Sequence, residues 1–347
     1  MKPVFSIVIP NYNSSNTIAS CLDSIFSMDY KNYEVIIVDD NSTDDSVSII
    51  NKYKEKYKDK LKLIQLGKKA GAAGARNIGV KNSKGNIIMF TDTDIINYSN
   101  TLTKAEKLIK KYRDASAFVG IFSPELVHKN LLSNYKHLYL CYYFIKQDDF
   151  ITTLNTSLTF IEKTVFEKVN GFDPAFGVIG EDVELGTRLV KNGYKIRLCR
   201  SLHMVHLKKY KLSNFVKDEV IRARKMFRIF LRTKFVKNEK NNAGNSYKLR
   251  PISLYISLAL TASLIVIVIA YIITGFKVAY YAILALVLML ITTNISFWSY
   301  LKSQRGFIFA LKSAFVTIFD MLLMLFGMGL ALKDFIMGRD SFQKWHY

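Results

Sequence analysis

Cysteine and proline are scarce in this chain, whose 347 residues include three cysteines and five prolines. Cys21, Cys141 and Cys199 are far apart in the sequence, which argues against a disulfide framework and against a cysteine-based zinc site. We therefore expect the domain that carries these cysteines to lie in a reducing compartment, the cytoplasm. The first residues, Met1-Lys2-Pro3 and a short β-rich run, lack the apolar core of a signal peptide.

The signature of a dinucleotide-binding fold is also missing. No Gly-x-Gly-x-x-Gly sequence follows the first predicted strand, residues 5–9, and this disfavours a dinucleotide cofactor. No recognised nucleic-acid-binding fold is evident either, so we expect no nucleic-acid partner. The formal net charge of +21 nevertheless calls for a polyanionic surface, and an anionic membrane is the remaining candidate.

Charged residues are absent from two long segments near the C-terminal end, 252–276 and 278–301. Each segment exceeds the ~20 residues that a helix needs to cross a bilayer. The connection between them, Gly275-Phe276-Lys277, is too short for anything but the turn of a hairpin. The hairpin is flanked by basic residues at both ends, by Lys248 and Arg250 before it and by Lys302 and Arg305 after it. This pattern predicts that both ends lie in the cytoplasm. We therefore predict a multi-pass protein of the cell membrane, with the domain that precedes the hairpin in the cytoplasm.

A third apolar segment, 313–332, contains Asp320. A central aspartate costs roughly 2.5–3.5 kcal/mol on insertion scales, which the surrounding apolar residues can offset. We predict a third span here, with an interfacial helix as the alternative. The predicted membrane anchor thus covers residues 251–335, followed by a tail, 336–347.

A basic amphipathic segment, 213–250, precedes the anchor. At ~100° per residue, a helix collects on one arc its basic side chains, Arg222, Arg224, Lys225, Arg228 and Arg232. The opposite arc is apolar and consists of Val220, Ala223, Met226, Phe227, Phe230 and Leu231. Such a helix lies in the headgroup plane of an anionic leaflet. A fully solvated charged helix, the alternative, leaves the two phenylalanines unexplained.

Residues 1–212 alternate short apolar strands with helical segments. The strands are predicted at 5–9, 34–38, 61–64 and 86–90, and the intervening helices include 17–26 and 71–81. This alternation predicts an α/β domain with a mostly parallel sheet and helices on both faces.

Polar clusters follow three of these strands: Pro10-Asn11-Tyr12-Asn13, Asp39-Asp40-Asn41-Ser42 and Asp92-Thr93-Asp94. Ligands of parallel sheets bind beyond the carboxyl ends of the strands. Paired carboxylates there suit a polar base or ribose together with a divalent cation, magnesium or manganese. The alternative, that strand-end aspartates only cap helices, suits Asp44 better than Asp94.

A second acidic cluster, Gly180-Glu181-Asp182, opens a predicted helix that runs to Leu189. The helix dipole favours acidic residues there by roughly 0.3–1 kcal/mol and is expected to keep Asp182 ionised. The dipole does not explain why both acids follow a glycine-rich turn. After the next strand, 195–198, come two histidines, His203 and His206.

These motifs, in this order, resemble the family 2 glycosyltransferases with the GT-A fold, a Rossmann-like nucleotide-sugar-binding domain. The resemblance covers roughly the first two-thirds of the chain. It implies that Asp40 contacts the nucleobase, that Pro10 and Tyr12 line the nucleoside, and that Asp92 contacts ribose or metal. It also places with the donor site Asn11, Asp39 and Glu181.

The resemblance further implies that Asp94 and His206 hold a divalent cation, Mn or Mg, on the diphosphate, and that Asp182 is the general base of an inverting transfer. His206 is preferred to His203 because Leu207-Lys208-Lys209-Tyr210 is similar to a subset of the family. A hexosyltransferase-type enzyme follows, with a nucleotide-sugar as donor.

Two acceptor classes remain open. A hydroxyl of a lipid-linked glycan or polysaccharide needs a base, whereas a polyprenyl phosphate is already ionised near neutral pH. Asp182 supplies a base, so we favour the hydroxyl acceptor. Processive synthesis is disfavoured, because Arg222-Ala223-Arg224-Lys225-Met226 stands where processive synthases carry Gln-x-x-Arg-Trp. Residues 122–149 are expected to shape the acceptor side.

Overall fold

The computed structural model describes residues 4–125, 127–174, 180–235 and 252–337, the side chains of 232–235 and of 252 excepted. The basic segment is therefore described only to residue 235, and the tail only to 337. The chain divides into two compact units. The first is Met1–Val127 with Phe144–Lys208, and the second is His128–Tyr143 with Lys209–Tyr347. The predicted first domain, 1–212, also included residues 128–143, which this division assigns to the second unit.

The first half of the sheet in the first unit is parallel, as predicted. Its strands are β1 (Phe5–Asn11), β2 (Tyr33–Asp39), β3 (Leu61–Gln65) and β4 (Ile87–Phe90), paired in the order β3-β2-β1-β4. The connecting helices are α1 (Ile18–Phe26), α2 (Ser46–Lys56) and α3 (Gly71–Lys81). A Cβ at Gly79 would overlap the side chain of Val8, so glycine lets α3 lie directly on β1.

The second half of the sheet is mixed. Its strands are β5 (Ile95–Asn97), β6 (Ala117–Phe122), β7 (Phe150–Ile151), β8 (Thr159–Glu162) and β9 (Ile196–His206). β8 runs antiparallel to β4 and β6, whereas β9 runs parallel to β6 and antiparallel to β5 and β7. The helices that follow in the first unit are α4 (Thr101–Lys111), α6 (Lys163–Lys168) and α7 (Glu181–Lys191), whereas most of α5 (Leu131–Ile145) belongs to the second unit. Among the described residues, one sheet of nine strands results.

The second unit is helical in its described part. It contains residues 131–143 of α5, then α8 (Leu212–Phe235), α9 (Ile252–Thr274), α10 (Lys277–Arg305) and α11 (Phe307–Ile336). The predicted segments 278–301 and 313–332 fall within α10 and α11, and the predicted segment 252–276 extends two residues beyond α9. All three helices are long and apolar enough to cross a membrane. Gly306, at φ +84°, ends α10 and begins α11 in a conformation that favours glycine.

Candidate active site

Asn11 and Asp39 join the carboxyl ends of β1 and β2. The Asn11 side-chain amide donates to Asp39 Oδ1 at 2.6 Å, and the Ser42 hydroxyl donates to the same oxygen at 2.5 Å. Asn11 is 0% and Asp39 3% exposed. In this structure the two side chains hold the strand ends together, and their predicted contact with a donor stays a prediction.

Asp40 connects the end of β2 to the start of α3. Its Oδ1 accepts the backbone N–H of Ala70 at 2.5 Å, and its Oδ2 accepts that of Gly71 at 3.0 Å. These are amides that a helix start leaves without an intrahelical acceptor. Any nucleobase that Asp40 binds, as the family resemblance implies, would share these carboxylate oxygens with α3.

Tyr12 presents an aromatic face beside this strand end. Its side chain is 46% exposed, and Pro10 before it is partly buried. The Lys69 ammonium lies 4.1 Å from the centroid of the Tyr12 ring and donates to the Tyr12 hydroxyl. An exposed ring of this kind offers a stacking surface to a planar base. The predicted roles of Pro10 and Tyr12 stay predictions.

Asp92 and Glu181 share one guanidinium, that of Arg76 on α3. Arg76 Nη2 donates to Asp92 Oδ1 at 2.8 Å, and Nη1 donates to Glu181 Oε1 at 3.1 Å. The second oxygen of Asp92 accepts the Ser157 hydroxyl at 2.9 Å. Both oxygens of Asp92 are therefore engaged within the protein, and a ribose or metal contact would share them.

Two residues of α3 that position the site were not predicted from the sequence. Arg76 is one, and Asn77 is the other: its side-chain amide donates to the Phe172 carbonyl at 2.7 Å and its oxygen accepts the Phe172 N–H at 2.9 Å. Asn77 thus holds the backbone at Phe172, while Arg76 holds Glu181 at the start of α7. The available signal was a charged side chain within an otherwise small-residue helix, Gly71–Lys81.

Asp182 lies in the first turn of α7, after Gly180 at φ +103°. Its Oδ1 accepts the N–H of Val183 at 2.9 Å, and its side chain remains partly exposed. Desolvation, reinforced by the charge of Glu181, raises the pKa of Asp182 to about 7. Burial and the charge of Glu181 thus act against the helix dipole, and Asp182 loses its proton less readily than the dipole alone would predict.

Asp94 meets His206 across the β5–β9 pairing. His206 Nε2 lies 3.1 Å from Asp94 Oδ2, and the N–H of Leu207 donates to the Asp94 carbonyl at 2.8 Å. Burial alone would raise the pKa of Asp94, but the hydrogen bond and charge of His206, with the charge of Lys208, lower it. Asp94 is thus held as a carboxylate.

The chemistry of this pair fits a divalent cation shared with a substrate. Within the described residues no group of three or more His, Cys, Asp or Glu side chains converges on one point. Mg²⁺ is commonly held by one or two carboxylates plus substrate phosphates and water, rather than by an all-protein cage. Asp94 supplies one carboxylate of this kind, and His206 places an imidazole nitrogen beside it as a second donor.

Family models match both parts of the chain. The model described as glycosyl transferase family 2 matches residues 6–166, and the one described as glycosyl transferase family group 2 matches residues 134–328, more than half of the chain. The chain is a family 2 glycosyltransferase. The polar strand ends described above therefore belong to a glycosyltransferase domain.

Curated relatives of this glycosyltransferase align with short parts of it. The poly(ribitol-phosphate) beta-glucosyltransferase of Bacillus spizizenii is 44% identical over 91 residues, 26% of this chain and 14% of the relative. The UDP-Glc:alpha-D-GlcNAc-diphosphoundecaprenol beta-1,3-glucosyltransferase of Escherichia coli is 46% identical over 89 residues, 26% of this chain and 34% of the relative. The chain thus spans about a third or less of the length of these two relatives.

One solved structure resembles the glycosyltransferase over most of its length. This structure is the mannosyltransferase of Pyrobaculum calidifontis in complex with GDP-Man and Mn²⁺. The alignment includes 96% of this chain and 88% of the mannosyltransferase chain, with a TM-score of 0.67 and 20% sequence identity. This similarity establishes the GT-A fold that the sequence motifs predicted.

Proposed function

We propose that this enzyme transfers a sugar from a nucleotide-sugar to a hydroxyl group of a membrane-associated acceptor, a lipid-linked glycan or a polysaccharide, with inversion at the anomeric carbon. The observation that carries the proposal is the difference between the two acids that open α7. Glu181 is buried and paired with Arg76, whereas Asp182 is partly exposed and has a pKa raised to about 7. A pKa near the working pH is what a general base requires.

The reaction is a single displacement. Asp182 accepts the proton of the acceptor hydroxyl while the hydroxyl oxygen forms a bond to the anomeric carbon of the sugar. The bond from that carbon to the diphosphate breaks, and its electron pair leaves with the nucleoside diphosphate. Attack opposite the leaving group inverts the configuration. Arg76 fixes Glu181, and so fixes the first turn of α7, which carries Asp182.

Asp94 and His206 would hold the divalent cation, Mn²⁺ or Mg²⁺. A bound cation neutralises charge on the departing diphosphate. The Mn²⁺ in the Pyrobaculum calidifontis complex supports this assignment, as does the mutual approach of the two side chains. Tyr12 and Asp40 would contact the nucleoside.

The acceptor class is supported by the relatives. One is named for action on poly(ribitol-phosphate) and the other for action on a GlcNAc-diphosphoundecaprenol. The three apolar helices of this chain would keep the enzyme at the membrane where such acceptors reside. The sheet and the acidic motifs would then face the cytoplasm, where nucleotide-sugars are available.

Purified full-length protein in liposomes tests the proposal. Radiolabelled nucleotide-sugars are supplied with Mn²⁺ or Mg²⁺ and with one of two acceptors, a diphosphopolyprenol-linked sugar or a polyprenyl phosphate. We expect label on the sugar hydroxyl. Label found only on polyprenyl phosphate would overturn the hydroxyl acceptor and support synthesis of a lipid-phosphate-sugar.

A further inference from the structure

The α9–α10 hairpin is buried only at its base. Within the described part of the two helices, the buried residues are Ser257, Leu258, Thr261, Phe297 and Leu301. All lie near the start of α9 or the end of α10, which meet at the same end of a hairpin. Residues 262–296 contain no buried side chain.

The helix that covers this base is α11. Met321 and Met324 of α11 pack in one cluster with Leu258 of α9, and the Trp298 indole of α10 donates to the Thr317 hydroxyl at 3.2 Å. If a third helix crossed the bilayer beside the hairpin, it would also bury side chains of the hairpin in the half away from its base. The contacts of α11 instead remain at one end of the hairpin.

The long partner of α11 is α8. The rings of Phe215 and Phe319 stack with centroids 6.4 Å apart, and nine residues further along α8, Arg224 Nε donates to Asp334 Oδ2 at 2.7 Å. Between these contacts, Gly327 lies so close to α8 that an added Cβ would stand 2.6 Å from the Val220 carbonyl oxygen. The two helices therefore run side by side in the same direction.

The stretch of α8 that accompanies α11 is highly charged. From 215 to 228 it carries Lys217, Asp218, Glu219, Arg222, Arg224, Lys225 and Arg228. If α11 crossed the bilayer, this stretch of α8 would enter the hydrocarbon with it. Charged side chains are strongly disfavoured there, so α8 keeps α11 out of a spanning orientation.

The two faces of α11 differ in the way that an interfacial helix requires. One face is an exposed apolar stripe over the first two-thirds of the helix: Phe307, Leu311, Phe315, Ile318, Leu322 and Phe326. The opposite face carries Asp320, which is 1% exposed and lies 3.7 Å from Lys136 Nζ. The same ammonium lies 2.7 Å from Glu219 of α8, so Asp320 belongs to a buried charge cluster rather than to a lipid-facing surface.

We propose that α8 and α11 together form a membrane-surface platform. α11 lies in the plane of the leaflet at the base of the α9–α10 hairpin and inserts its apolar stripe among the acyl chains, while the charges of α8 remain at headgroup level. The partner of this surface is the leaflet in which the hairpin is anchored. Only α9 and α10 then cross the bilayer, and the end of α11 lies on the same side as α8. The proposal is independent of the reaction that the enzyme catalyses.

Depth measurements by electron paramagnetic resonance test the platform in the full-length protein in liposomes. Single cysteines at Leu311, Ile318 and Phe326 carry a spin label, in a background with Cys21, Cys141 and Cys199 replaced by alanine. The platform places the three labels at equal depth, within about 5 Å, one helical turn. A spanning α11 separates the first from the last by about 22 Å, at 1.5 Å per residue, and this spread would overturn the proposal.

The hairpin supplies the control. Labels at Val266 and Ile272, both exposed on α9, are six residues apart and should differ in depth by about 9 Å. A reporter fused after Tyr347 gives a second measurement that needs no cysteine replacement. It should report the same side of the membrane as the catalytic unit, and opposite to a reporter inserted between Gly275 and Phe276. If the reporter at Tyr347 lies on the same side of the membrane as the reporter between Gly275 and Phe276, the platform is refuted.

Discussion

Arg76 on α3 donates to Asp92 at 2.8 Å, an ion pair that joins this helix to the chain just after β4. The same guanidinium reaches Glu181 at the start of α7, and only 4% of the arginine is exposed. One cation thus sets the relative positions of Asp92 and Glu181, two acids that the sequence analysis assigned to the donor site.

Replacing Arg76 should destabilise the catalytic unit. Arg76→Met leaves two carboxylates without their shared cation, and breaking a buried pair in this way costs about 3–5 kcal/mol. Denaturant unfolding of the purified full chain measures the loss. Lys110→Met, which breaks an exposed pair with Glu106, is the control and should cost less than about 1 kcal/mol. Equal losses for both variants would show that Arg76 has no special role.

Gly186 allows α7 to approach the chain at residues 152–154. A Cβ there would stand 2.6 Å from the Thr152 carbonyl oxygen and 2.7 Å from the Thr153 Cα. Gly186→Ala would ordinarily gain about 1 kcal/mol of helix propensity, but here it should cost about 1–3 kcal/mol and displace Asp182. Gly67→Ala adds a Cβ in open space and is the matched control. A stabilised, fully active Gly186→Ala variant would contradict this packing.

The rate of transfer should depend on pH through Asp182. Its pKa is raised from 3.8 to about 7, so the carboxyl is protonated, and inactive as a base, below that pH. We expect kcat/KM to rise as pH increases through about 7 and then level off. The same shift makes the protonated form the stable one, so the contribution of Asp182 to stability is complete below pH 3.8 and is lost as pH rises through about 7. If kcat/KM does not change over this whole pH range, Asp182 is not the base.

Much of the fold was predictable because local signals agreed with tertiary structure. The strands β1 to β4 are short apolar runs ended by polar residues, and α3 has the bounds that its small residues indicated. β9 was predicted only over 195–198, because Arg200 and Ser201 interrupt its apolar pattern, yet the strand continues to His206. The four-residue β8 has no comparable sequence signal.

The site was predicted in outline and not in its internal bonding. The order of the motifs predicted that Asp94 and His206 belong to one metal site. In the structure, Asp94 Oδ2 and His206 Nε2 are 3.1 Å apart. Arg76 was not predicted, because Glu181 lies 105 residues away in the sequence and no local pattern links them. Likewise, the buried state of Asn11 and Asp39 depends on the approach of two strands, which neither motif specifies alone.

Metal-dependent binding of the diphosphate should require Asp94. Asp94→Asn removes a charged ligand, so the affinity for a nucleoside diphosphate with Mn²⁺ should fall by at least about tenfold, or about 1.4 kcal/mol. Isothermal titration calorimetry with and without Mn²⁺ measures the effect. Asp59→Asn removes an exposed carboxylate of the same unit and should leave the affinity unchanged. If the wild-type protein binds equally well without metal, the assignment of Asp94 and His206 fails.

The central claim is that Asp182 removes the proton of an acceptor hydroxyl, and Asp182→Asn tests it most directly. The variant keeps the size of the side chain, and its oxygen can still accept the N–H of Val183. The measurement pairs the transfer rate with donor affinity in the full-length protein, with Asp59→Asn as control. We predict unchanged donor affinity and a transfer rate lower by a factor of about 10²–10⁴, equivalent to about 3–5 kcal/mol of barrier. A variant that transfers at the wild-type rate would contradict the account and favour a phosphate acceptor, which needs no base.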